Sequence, residues 1–211
     1  MSRDSNKGYH ASVTSWNFEK RGPEVHQFEK RYDYAAFLGD FERATRVGQG
    51  EEKFLAWESG TTMLASDGFM GCIGIMIVGD GGAIIGHYSN TETDIRQAEA
   101  KLPELISDNS AALSGARAYL YAQVKLRQPD DWVSEPNNLR LINIVNNNLD
   151  ITPERVKYIE PEDMMVDDND ELLDECPEDL LYGAMMVKHT SQSTSTTFMD
   201  LSWQVSAAGW A

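Results

Sequence analysis

The stretch that most constrains this chain is residues 71–89, GCIGIMIVGDGGAIIGHYS. Two short apolar runs flank Gly79-Asp80-Gly81-Gly82, and Asp-Gly is among the strongest signals for a two-residue hairpin turn. A turn at Asp80-Gly81 sets every pair outward: Gly79 with Gly82, Val78 with Ala83, Gly74 with His87 and Cys72 with Ser89. Directly paired residues point to the same face of a sheet, and side chains alternate along each strand. Cys72, Gly74, His87 and Ser89 are therefore expected on one face, and Ile73, Ile75, Ile77, Ile84 and Tyr88 on the other. Cys72 and His87 become diagonal neighbours, with Cα atoms roughly 7–8 Å apart. Gly74, lacking a side chain, leaves room beside His87 for the imidazole or for a substrate chain. A slip of one residue would put Cys72 and His87 on opposite faces, so the pair depends on this turn.

A thiol beside an imidazole is a nucleophile beside its base. A nearby imidazolium lowers a cysteine pKa, and the thiolate can attack a carboxamide or ester carbon. Backbone N–H groups near Cys72 could hold the oxyanion. A third group would orient His87, and Ser66, Thr62, Ser89 and Asn90 are the candidates. The plainer alternative is structural: a cysteine opening an apolar strand is a small buried hydrophobe.

Gly71-Cys72, an apolar strand, a glycine turn and Gly86-His87 together resemble the Cys–His glutamine deamidases. These include the chemoreceptor deamidase CheD, the catalytic domain of cytotoxic necrotizing factors and the Burkholderia lethal factor. The resemblance covers about residues 62–89 and includes the fifteen-residue spacing from Cys72 to His87. It implies an α/β sandwich around a mixed sheet. It also implies Cys72 as nucleophile, His87 as base, and Ser66, six residues before the cysteine, as the hydroxyl that orients the histidine.

The remaining pattern places the hairpin in a larger fold. Large side chains at Tyr34, Phe37, Leu38 and Phe41 predict an amphipathic helix over 33–46, with Asp33 able to cap it. Strands are expected at 53–58 and 61–66, about a Ser59-Gly60 turn. After the hairpin, Asn90 or Thr91 opens a helix with Ile95, Ala98, Leu102, Leu105 and Ile106 on its apolar stripe. Pro103 should kink that helix or divide it. Alternation over 116–126 predicts a half-buried strand. Ser134 and Pro136 open a helix that turns Leu139, Ile142, Val145 and Leu149 inward and frays at Asn146-Asn147-Asn148. Strands at 155–159, 182–189 and 194–205 complete the order. Strands in runs with helices between blocks indicate α+β: a mixed, mostly antiparallel sheet or two-sheet sandwich with flanking helices. The organisation expected is a loose arm over 1–30, holding a short strand at 11–18, then one domain over 31–211.

Charge bounds the partners. The net charge is -16, and eleven acids within 160–179, with no Lys or Arg, carry most of it. That run is expected to be an insert with loop character. An acidic surface repels phosphate backbones and anionic lipid, so a basic protein is the partner expected, and neither nucleic acid nor membrane. The run lacks calcium-loop spacing, the chain has no zinc motif, and Gly79-Asp80-Gly81-Gly82 is followed by a strand, so no cofactor is expected. Cys176, inside the acidic run, reads as a bystander. His10, His26 and His189 are isolated. The N-terminus lacks an apolar leader core. A cytoplasmic location is therefore expected, or a secreted one if a leader precedes it and Lys30-Arg31 is a processing site. Three readings follow: a cysteine amidohydrolase acting on a protein glutamine through Cys72 and His87, a binding or effector protein that uses 160–179 with exposed aromatics such as Trp203 and Trp210, or a cysteine protease or transglutaminase that uses the same Cys72–His87 pair.

Overall fold

The computed structural model describes residues 34–125, 128–159 and 183–199. The arm, the acidic run, Cys176, Asp33, His10, His26, Trp203, Trp210 and residues 200–205 of the last expected strand lie outside them. In order the elements are α1 (Tyr34–Arg43), β1 (Thr45–Arg46), β2 (Glu51–Ala56), β3 (Thr62–Ser66), β4 (Ile73–Val78), β5 (Gly82–Tyr88), α2 (Glu92–Asp108), β6 (Arg117–Lys125), β7 (Gln128–Trp132), α3 (Glu135–Leu149), β8 (Glu154–Ile159), β9 (Ala184–His189) and β10 (Thr194–Met199). The protein is α+β with two mostly antiparallel sheets.

The larger sheet runs β2-β5-β4-β6, with both β7 and β8 bonded to β6, β8 in parallel. The smaller runs β1-β3-β9-β10. Three apolar layers hold the stack. Ile73, Ile75, Ile77, Ile84 and Tyr88 meet Ile95, Ala98 and Leu102 of α2 and Leu141 and Val145 of α3 on one face of the large sheet. Met76, Ile85, Tyr119 and Tyr121 on its other face meet Leu64, Met185 and Val187 of the small sheet. Phe37 and Phe41 of α1 cover the outer face of the small sheet at Ala65, Ala184 and Met186. The arrangement is helix, sheet, sheet, helix. Among the described residues no helix is long and apolar enough to cross a membrane.

The β4–β5 register places Gly74 opposite His87 and Val78 opposite Ala83, and Gly79 N–H donates to the Gly82 carbonyl at 2.9 Å. The turn is therefore at Asp80-Gly81. The loop after α2 clamps it, through Asp80 N–H to the Ser114 carbonyl and Gly81 N–H to the Ala112 carbonyl.

Other expectations are corrected. The first helix stops at Arg43, and Thr45–Arg46 pairs with β3 instead of continuing it. The expected turn at Ser59-Gly60 joins strands that belong to different sheets. Of the two outcomes expected at Pro103, a kink or a division, the division does not occur: α2 is one element, with Leu102 and Ile106 buried on either side. The strand expected to be half-buried is buried on both faces, because the second sheet covers Tyr119 and Tyr121. In α3 the inward stripe is Asn138, Leu141, Ile142, Ile144 and Val145, and Leu139 lies off it, exposed. Its asparagines do not fray: Asn148 donates to the Ile144 carbonyl, Asn146 to Thr152, and Asp150 closes the helix in a left-handed conformation. Strands β1 and β7 were not expected.

Candidate active site

The site lies between the two sheets, at the end of the sandwich away from the hairpin turn. His87 projects from β5 of the large sheet, and Ser66 from the end of β3 in the small one. Ser66 Oγ stands 2.9 Å from His87 Nδ1 and 2.7 Å from the Val47 carbonyl. A hydroxyl has one proton to give. The Val47 carbonyl takes it, so Nδ1–H donates to Ser66 Oγ and Nε2 carries the lone pair. That nitrogen is buried and, among the described residues, has no hydrogen-bond partner. Buried polar atoms are nearly always paired, and leaving one unpaired costs about 1–3 kcal/mol. Of the four candidates for the orienting group, Ser66 is the one that meets the imidazole.

Cys72 stands at the mouth of β4, one residue beyond the ladder. Gly71 before it has φ +70°, a left-handed conformation that glycine adopts at little cost. The Tyr158 hydroxyl, from β8, donates to the Cys72 carbonyl at 2.6 Å and fixes the following peptide. Cys72 shares the inter-sheet layer with Phe69, Tyr121, Tyr158 and Met185. The structure thus brings Ser66 onto His87 and sets Cys72 in the same layer, without a hydrogen bond from the thiol to Nε2.

Burial governs the electrostatics. It raises the Cys72 thiol pKa, against a backbone hydrogen bond from Met70 and with a smaller push from the Asp94 carboxylate. It lowers the His87 pKa to about 4, with Asp94 opposing. The resting state is a neutral thiol and a neutral imidazole. Asp94 lies in the first turn of α2, where its carboxylate accepts from Ser89 N–H at 2.9 Å. Among the described residues no group of three His, Cys, Asp or Glu could hold a metal.

One expectation fails in detail. The space beside Gly74 is not open to a substrate. A Cβ there would meet Met185 Cε at 2.8 Å and Phe69 Cε1 at 2.9 Å. The Phe69 ring stacks on the imidazole, with centroids 4.0 Å apart and 17° between planes. Phe69, Tyr158, Asp94 and Met185 were not picked out from sequence. Phe69 carried a signal, since glycines stand close on both sides of it. Tyr158 carried none, because its contact with Cys72 spans 86 residues. No family model matches the chain, and no curated protein matches it.

Proposed function

We propose that the chain is a cysteine amidohydrolase that deamidates a glutamine side chain of a basic protein. One observation carries this: His87 is locked by Ser66 in the tautomer whose bare Nε2 is buried, unpartnered among the described residues, and in the layer that holds Cys72. The hairpin's resemblance to the Cys–His glutamine deamidases supplies the reaction class. In the first half-reaction Nε2 takes the thiol proton and the sulfur bonds to the carboxamide carbon. The C–N bond then breaks, Nε2–H gives its proton to the leaving nitrogen, and ammonia departs. In the second half, water gives a proton to Nε2 and its oxygen attacks the thioester. The C–S bond breaks, and the thiol regains its proton. Backbone N–H groups around Cys72 hold the oxyanion.

The acidic run favours a basic partner. It follows Ile159, one residue after Tyr158, and precedes Gly183, whose carbonyl accepts from Phe69 N–H. Two described residues near it in sequence, Tyr158 and Gly183, contact Cys72 and Phe69.

The test is ammonia release, with mass spectrometry of the product, from glutamine-containing basic proteins. Cys72→Ala and His87→Ala are expected to abolish turnover, and Ser66→Ala to cut it by about 10–100-fold through loss of the oriented tautomer. Turnover unchanged in the first two variants would end the reading. The burial of both side chains, Cys72 at 5% and His87 at 1% exposure, favours a second one. In it the Ser66–His87 bond is a strut between sheets and the protein binds without catalysis. Variants that lose stability while wild type releases no ammonia would support it.

A further inference from the structure

We propose that Phe69 occupies the seat of the substrate's side chain, as a plug that swings out on Gly68 and Gly71 to admit an unbranched chain ending in a planar primary carboxamide. This rests on the amidohydrolase reading. Phe69 is fully buried, yet it belongs to the irregular 67–72 loop and to no strand or helix. Gly68 and Gly71 stand around it at φ +77° and +70°, and its neighbour Met70 is 44% exposed. One residue therefore separates the innermost part of the loop from solvent. The Phe69 amide is held by a 3.2 Å bond to the Gly183 carbonyl.

The seat is shaped around a flat group. His87 forms one wall by stacking, and Tyr121 stands edge-on at 5.1 Å and 83°. Two glycines cut the chain back: a Cβ at Gly183 would lie 2.8 Å from Phe69 Cβ, and one at Gly74 2.9 Å from Phe69 Cε1. With the ring displaced, what remains is a slot one ring thick beside the imidazole. A primary carboxamide is as thin as a ring and fits the same slot. A branched chain would meet the Gly74 and Gly183 backbones.

The experiment follows iodoacetamide alkylation of Cys72 in the full chain carrying Cys176→Ser, which leaves one thiol. Local opening predicts an alkylation rate flat in urea below the unfolding transition, since little surface is exposed. Phe69→Ala is expected to raise that rate at least about tenfold, and Phe69→Leu, which keeps an apolar filler, by less. N-acetylglutamine methylamide is expected to slow alkylation in Phe69→Ala more than the corresponding glutamate compound does. A rate that tracks global unfolding in the Phe69 parent chain overturns the plug without needing any Phe69 variant to fold. A folded Phe69→Ala alkylated at the parent rate also overturns it, and equal or absent protection by the two compounds overturns the carboxamide seat. Local opening and selective protection without ammonia release would leave the plug standing and remove the amidohydrolase reading.

Discussion

At the scale of single residues the site is governed by how a buried imidazole is satisfied. Ser66 uses its one proton on the Val47 carbonyl and its lone pair on His87 Nδ1–H. Ser66→Ala removes both partners at once and is expected to cost about 1–3 kcal/mol, measured by urea denaturation. The His87 pKa gives a second prediction. Its folded value, about 4, lies below the unfolded value near 6.5. Between those pH values the unfolded chain binds a proton that the native chain does not, so acid favours unfolding there. The stability at stake is fully present above pH 6.5 and is lost as pH falls through the folded pKa. It amounts to about 3 kcal/mol at most. Urea melts of wild type and His87→Gln from pH 7 to 4 should show wild type losing about 2–3 kcal/mol more than the variant. Parallel losses would mean that His87 is readily protonated in the folded state.

At the scale of elements, the hairpin was legible because its information is local. Asp80-Gly81 dictates the turn, the turn dictates the register, and the register puts Gly74 opposite His87. The sequence could not say what covers each face. The side expected to be open is packed by a second sheet whose strands β9 and β10 come about a hundred residues later. For the same reason β6 was taken as half-buried, and Gly74 as a clearance when it is a contact surface. The hairpin's glycines differ in what they touch, and that separates their substitutions. A Cβ at Gly74 meets the flexible end of Met185, which can move aside, although the Phe69 ring beside it is less free. A Cβ at Gly79 meets the Ala112 carbonyl oxygen and Leu113 Cα, both at 2.5 Å, and these are backbone. Gly79→Ala must therefore push the turn off the loop that clamps it at Ser114 and Ala112. It is expected to cost about 3 kcal/mol or more, against about 1–2 kcal/mol for Gly74→Ala. Thermal melts of the two variants would decide, and equal costs would mean that the clamp yields as easily as a methionine side chain.

At the scale of the whole molecule, the α+β class, with a two-sheet sandwich as one of its two expected forms, was readable from strands arriving in runs with helices between them, whereas the assignment of each strand to its sheet was not. Ser59-Gly60 looks like a hairpin turn but separates β2 from β3, which join different sheets. Local turn chemistry does not record which sheet a strand will join. Ser66 and His87 meet only because this division stacks β3 on β5. Charge is the other whole-molecule property. Without the eleven acids of 160–179 the net charge would fall from -16 to -5. A field of that size speeds encounter with a basic partner and weakens steeply as salt rises. The proposed deamidase should therefore show kcat/KM for a basic protein falling as ionic strength increases, with the change in KM and kcat unaltered. Neutralising the eleven acids to Asn and Gln should raise KM at low salt and flatten the salt dependence. The rate of Cys72 alkylation should change little, since the thiol lies inside the sandwich, and Asp94, which pushes its pKa up, lies outside the run. A neutralised variant that keeps the parent's KM and salt slope would show that the acidic run does not recruit substrate. The basic-partner reading would then fail while the Cys72–His87 chemistry stood untouched.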